Sequence, residues 1–169
     1  GTQNHGIVYS KSENSGDLVG YSDSSWADDE NRHSTTGNVF QYGNGPICWQ
    51  SRRQSVVALS TAEAEYVAAF DAAREAAWLR QLLNDITQRE CTPVKLHMDN
   101  QSAIQIANNT ATSKRSRHMD VRFHYLREEV VNKRVTTVYC RTQDMLADIL
   151  TKPLPRDRFS MLLSMLGVG

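Results

Sequence analysis

The chain has 169 residues, 40% of them apolar and 22% charged, which suits one globular domain with a sizeable core and argues against a disordered or repetitive segment. No run approaches the roughly 18 apolar residues of a membrane span and no basic-then-apolar amino terminus suggests a signal peptide, so a soluble intracellular protein is expected. Formal charge is zero, but residues 1–108 carry 8 Lys and Arg against 13 Asp and Glu, whereas 109–169 carry 11 against 6.

Residues 1–16 hold Gly, Asn and Ser without periodicity and read as a leader, or the tail of something larger; a start without methionine fits an excised piece. The next stretch, LVGYSDSSWA, reads as a strand with Val19, Tyr21 and Asp23 on one face and Leu18, Gly20 and Ser22 on the other. Asp23 is out of place there, because an unpaired charge beside an apolar core costs several kcal/mol. It needs a cation or a partner. NVFQY and PICWQS follow as two short strands joined by the YGNGP turn, completing an antiparallel meander in which Trp26, Phe40 and Trp49 are core or sheet-face aromatics.

The longest helical pattern runs from Thr61 to Thr87, with Val67, Phe70, Ala73, Ala77, Leu79 and Leu83 on its apolar side. Ser60 and Glu63 form a capping box at its start, which gives Glu63 a structural task and leaves Glu65, on a different face, as the better candidate ligand. VKLHMD then reads as a strand ending at Asp99 and NQSAIQIANN as a helix. Asp99 is either that helix's N-cap or a group at the carboxyl edge of a parallel sheet, where ligands gather. A basic loop, TATSKRSRHM, precedes the amphipathic helix DVRFHYLREEVVN and the strand VTTVYC. DMLADILTK is expected as a helix carrying Asp148, stopped by the prolines of KPLPRD, and FSMLLSMLGVG as a final short helix.

This order predicts a mixed five-stranded α/β sheet, three antiparallel strands and then two more, flanked by helices. It is not a doubly wound dinucleotide fold, and neither common glycine-rich phosphate loop occurs. Cys48, Cys91 and Cys140 are odd in number and far apart, which suits reduced core thiols and not a zinc site. Four acids at the edges of apolar elements, Asp23, Glu65, Asp99 and Asp148, point instead to divalent cations working on a nucleic-acid backbone, with the basic second half as a phosphate-binding surface.

The order of these carboxylates resembles that of ribonuclease H, and the local wording resembles the ribonuclease H domain of copia-type retrotransposon Pol polyproteins. The segments that carry the likeness are GYSDSSWA, STTG, ICWQSRRQ, ALSTAEAEYVAA, HMDNQSAI, RHMDVRFHYLRE and MLADILTKPLP. They cover most of residues 17–155. The resemblance implies a ribonuclease H-like fold, with residues 1–16 as the end of a reverse transcriptase connection segment, 17–152 as the nuclease domain and 153–169 as a tail. It further implies a hybrid-cutting endonuclease in which Asp23, Glu65, Asp99 and Asp148 hold two Mg²⁺ ions, Mn²⁺ substituting. Asp23 would bridge both ions, Glu65 and Asp99 serve the leaving-group ion, and Asp148 the water-activating one. The alternative is an inactive module of the same fold that tethers reverse transcriptase to template or partner.

Implied partners are an RNA/DNA hybrid and the reverse transcriptase domain of the same polyprotein, in the cytoplasm or in virus-like particles, with no membrane. Ser24, Ser60 and Gln101 are candidates for the 2′-hydroxyl contacts that distinguish RNA, or else caps and surface polar groups. Arg52, Arg53, Lys114, Arg115 and Arg117 are candidates for backbone phosphates, or else solvated side chains. CRTQD lacks the histidine that many relatives carry before their last helix; Arg141, Gln143 and His118 are the possible substitutes. The His118, Asp120 and His124 group reads as helix capping or substrate-edge packing rather than a metal site.

Overall fold

The computed structural model describes residues 3–9, 16–109 and 120–169, with 120–123 as backbone alone. Its strands are β1 (Val19–Ser25), β2 (Thr35–Tyr42), β3 (Gly45–Arg53), β4 (Val94–Met98) and β5 (Val135–Tyr139). They form one sheet in the order β3-β2-β1-β4-β5. The first three pair antiparallel, and β4 and β5 run parallel to β1. The expected mixed sheet is the one observed. Gly43 and Asn44, both at positive φ, make the two-residue turn between β2 and β3, a geometry that matches the twist of a hairpin.

Helices α1 (Thr61–Thr87), α2 (Gln101–Asn108) and α3 (Asp120–Val131) follow the predicted spans closely. Alanines 64, 68, 69, 72, 73 and 76 are all buried along α1, and their small side chains allow close approach at those positions. Its Tyr66, Val67 and Leu79 join Phe40, Val94, Leu96, Met98, Leu126 and Val135 in the main core. On the opposite face Val39 packs with Leu146, Leu162 and Leu166, which brings in α4 (Arg156–Met165). The two ends of the described chain also meet: Ile7 bridges Val168, and the Val8 N–H donates to the Gly167 carbonyl at 2.8 Å. Among the described residues no helix is long and apolar enough to cross a membrane.

Three expectations need correction. DMLADILTK is not an α-helix but two 3₁₀ turns, Thr142–Asp144 and Leu146–Leu150. Pro153 disfavours helical geometry at the residue before it, and the segment closes in short 3₁₀ turns. Trp26, 48% exposed, follows the end of β1 and is neither in the core nor on a strand, whereas Trp49, 55% exposed, is a sheet-face residue on β3 and not a core one. The cysteines are all free, yet only Cys140 is buried; Cys48 is half-buried and its thiol donates to Glu75 at 3.1 Å.

Candidate active site

Parallel pairing of β1 with β4 puts their carboxyl ends at one edge of the sheet, and the site grows there. Asp23 lies near the end of β1, Asp99 directly follows β4, and Glu65 stands near the start of α1. Each contributes a carboxylate oxygen, all within 4.8 Å of one another. Asp23 is 2% and Glu65 6% exposed, so this is a mostly buried group of three acids and not a solvated acidic patch.

Local structure settles the choices that sequence left open. Ser60 caps α1, its hydroxyl accepting the Glu63 N–H at 3.2 Å, and Glu63 turns back to the Leu59 N–H at 2.8 Å. Glu63 is thus held at the cap, and Glu65 is the residue that faces Asp23 and Asp99. The N-cap of α2 is Asn100, whose side chain accepts the Ala103 N–H at 3.0 Å. Asp99 is free of that task and accepts instead from the Thr142 hydroxyl at 2.9 Å.

Each acid is oriented by a neighbour. The backbone N–H and hydroxyl of Ser24 both donate to Glu65 Oε1, at 3.2 and 3.1 Å, while Glu65 Oε2 is buried with no hydrogen-bond partner. The Thr151 hydroxyl donates to Asp23. Asp148, fully buried, sits on the second 3₁₀ turn and stands apart from the other three, paired with Lys152 and Arg158. Lys152 Nζ lies 2.8 Å from Asp148 Oδ1 and 3.6 Å from Asp23 Oδ2, so one ammonium is shared between the two carboxylates. Arg158, from α4, also donates to the Thr142 carbonyl at 2.6 Å and so ties both 3₁₀ turns together.

Electrostatics follow from this crowding. Burial raises the pKa of Asp23; Thr151 and Lys152 pull it down, Asp148 and Asp99 push it up, and the net shift is upward. Glu65 is raised by burial and then by the charges of Asp23 and Asp99, against the two Ser24 hydrogen bonds. Burial alone would lower the Lys152 ammonium, but its hydrogen bond to Asp148 and the charges of Asp23, Asp148 and Asp99 raise it overall, so it stays charged.

The other candidates divide. Ser24 touches the cluster, Ser60 is a helix cap, and Gln101 is exposed two residues beyond Asp99. Arg52 is paired with Asp71 at 2.7 Å and Arg53 with Asp29 at 3.0 Å. Lys114, Arg115, Arg117 and His118 lie outside the described residues, as does the Asp120 side chain. Lys152, Thr151, Thr142 and Arg158 were missed. Lys152 had a signal, a cation four residues after an acid, whereas Arg158 reaches the site only because α4 docks there.

The topology and the edge cluster define a ribonuclease H fold. LC11-RNase H1, isolated from compost, superposes with a TM-score of 0.58 at 17% identity over 80% of this chain and 93% of its own. RNase H1 of Halobacterium salinarum gives 0.55 at 16%, covering 80% and 95%. A structure of LC11-RNase H1 in complex with an RNA/DNA hybrid also matches, at 0.58 and 14%, covering 79% and 93%. The chain is homologous to copia-type retrotransposon Pol polyproteins. It is 39% identical over 152 residues to that of transposon TNT 1-94 from Nicotiana tabacum and 36% over 169 to that of transposon RE1 from Arabidopsis thaliana. These matches cover 89% and 99% of the chain but 11% and 12% of the polyproteins. No protein-family model matches.

Proposed function

We propose that the chain hydrolyses the RNA strand of RNA/DNA hybrids, using divalent cations held by Asp23, Glu65, Asp99 and Asp148. One observation carries the reading: three carboxylates share a mostly buried space, with an oxygen of Glu65 left unpartnered. Two unit charges 4 Å apart repel by about 4 kcal/mol at an effective dielectric near 20, and a whole domain is stable by only about 5–15 kcal/mol. Protons held at raised pKa relieve this repulsion in the metal-free protein, and a divalent cation entering the cluster would replace them. The donor set is all oxygen, as hard ions such as Mg²⁺ require, and Mn²⁺ fits the same ligands.

When bound, such ions supply an activated water and stabilise charge on the departing 3′ oxygen. The rest is done by the chain. Asp23 shares the carboxylate cluster with Glu65 and Asp99 and shares the Lys152 ammonium with Asp148, which supports a role for it toward both sides. Ser24, Thr142 and Thr151 fix the three carboxylates that would otherwise rotate, so that little reorganisation accompanies catalysis. Ser24 spends its proton on Glu65 and keeps only lone pairs for a substrate, so exposed Gln101 is the better donor to a ribose 2′-hydroxyl. Arg52 and Arg53 reach phosphates by exchanging Asp71 and Asp29 for them, a trade between charge partners at an exposed surface.

The Pol polyprotein relatives, of which the chain spans 11–12%, support further domains in the same polyprotein; the setting that suits this activity is beside a reverse transcriptase domain, in the cytoplasm, where hybrids arise as RNA is copied. The test is cleavage of a labelled hybrid beside duplex RNA and duplex DNA, with Mg²⁺ and with chelator. Cutting of the RNA strand in the hybrid alone, abolished by chelator, is expected. Cutting that persists in chelator, or none at saturating Mg²⁺, overturns the reading.

A further inference from the structure

The cluster is not uniform. Its open side, Asp23 with Glu65 and Asp99, has three carboxylates, and among the described residues neither Glu65 nor Asp99 is paired with a lysine or arginine. On the other side the chain has already neutralised Asp148: Lys152 holds Oδ1 at 2.8 Å, Arg158 holds Oδ2, and Lys152 also leans on Asp23 Oδ2 at 3.6 Å. Lys152 follows Asp148 by one helical turn and precedes Pro153, so the backbone delivers its ammonium to the gap between the two acids. Its side chain remains 35% exposed, which leaves it a path out to solvent. Arg158 has no such symmetry, since it touches Asp148 and the Thr142 carbonyl but not Asp23.

We infer that Lys152 is a built-in counter-cation that holds the Asp23/Asp148 gap and makes the two sides of the cluster fill with divalent ions unequally, the open side first. The inference rests on the reading that these acids hold divalent ions. A cation entering between Asp23 and Asp148 meets a positive charge that bridges both acids and has to displace it, whereas one entering between Asp23, Glu65 and Asp99 finds two carboxylates, Glu65 and Asp99, that no ammonium or guanidinium among the described residues holds. Lys152 is a positioning residue in this role: it sets which site fills, through the acids it touches, without itself reacting.

The test is Mn²⁺ uptake by the metal-free protein, followed by calorimetry and by the electron paramagnetic resonance of the free ion. Wild type is expected to take one ion firmly and a second only weakly. Lys152→Met and Lys152→Gln should tighten the second by about tenfold or more, the effect of removing a competing charge at close range, while Lys152→Arg should behave as wild type. A structural role alone would shift melting without changing the number of ions bound. Unchanged isotherms in both neutral variants overturn the inference. Should neither fold, wild type decides: two equal sites overturn it, and one strong with one weak site sustains it. Wild type that binds no Mn²⁺ at all overturns instead the underlying reading of the cluster.

Discussion

Gly37 lies directly opposite Asp23 across the β1/β2 ladder, and its missing side chain is what lets the 3₁₀ segment reach the site. A Cβ built there would stand 2.6 Å from Thr151 Cγ2 and 3.0 Å from both the Ala147 carbonyl oxygen and Leu150 Cβ. Gly37→Ala should therefore push away the segment that carries both Thr151 and Asp148. Overpacking of this kind costs about 1–3 kcal/mol. Hybrid cleavage should fall at least about tenfold, as a displaced catalytic group demands. Melting and cleavage measured together check it; a variant with wild-type values for both would mean that the close approach has no consequence.

Asp23→Asn should abolish cleavage and leave the fold intact. The amide keeps an oxygen to accept from Thr151, and losing one of the crowded charges relieves repulsion, so metal-free melting should stay level or rise. A fall in melting together with residual activity would contradict the role given to Asp23. Circular dichroism and the cleavage assay separate the two effects.

Arg158→Met tests whether α4 belongs to the site. It removes one partner of fully buried Asp148 and the bond to the Thr142 carbonyl. Breaking a buried pair costs about 3–5 kcal/mol, and since Lys152 remains as a partner the expected loss is nearer 2 kcal/mol. Denaturant unfolding measures it. No loss would place α4 outside the structure that holds Asp148.

The metal-free protein should lose stability as pH rises. Asp23 and Glu65 are both raised by burial, so between the ordinary carboxylate range and their folded values the native state holds protons that the unfolded chain releases. Unfolding then releases protons, and stability declines from mildly acid to alkaline pH. Saturating Mg²⁺ should flatten the decline, because it replaces those protons with a cation bound only by the folded state. Melting scans across pH with and without Mg²⁺ check this, and metal-free melting that rises with pH would contradict it.

Sequence disclosed the sheet, α1 and the three clustered acids for identifiable reasons. Alternation marked β1, the Ser60/Glu63 box fixed the start of α1 and so singled out Glu65, and the strand ending at Asp99 set its level in the sheet. What it hid depends on tertiary contact. Arg158 enters from a helix docked against Val39 and Leu146, a contact without local pattern. The 3₁₀ turns around Asp148 look helical in sequence because apolar spacing barely distinguishes three residues per turn from 3.6 over so short a run. Single aromatics such as Trp26 and Trp49 carry no periodicity, so their exposure was not legible.

The central claim is that Asp23, Glu65 and Asp99 form a divalent-cation site. Anomalous diffraction from crystals equilibrated with saturating Mn²⁺, whose charge competes for the raised acids with the protons they hold, tests it most directly. A peak within bonding distance of carboxylate oxygens from all three residues is expected. Full Mn²⁺ saturation with no peak there, or with the ion bound only elsewhere, would contradict it.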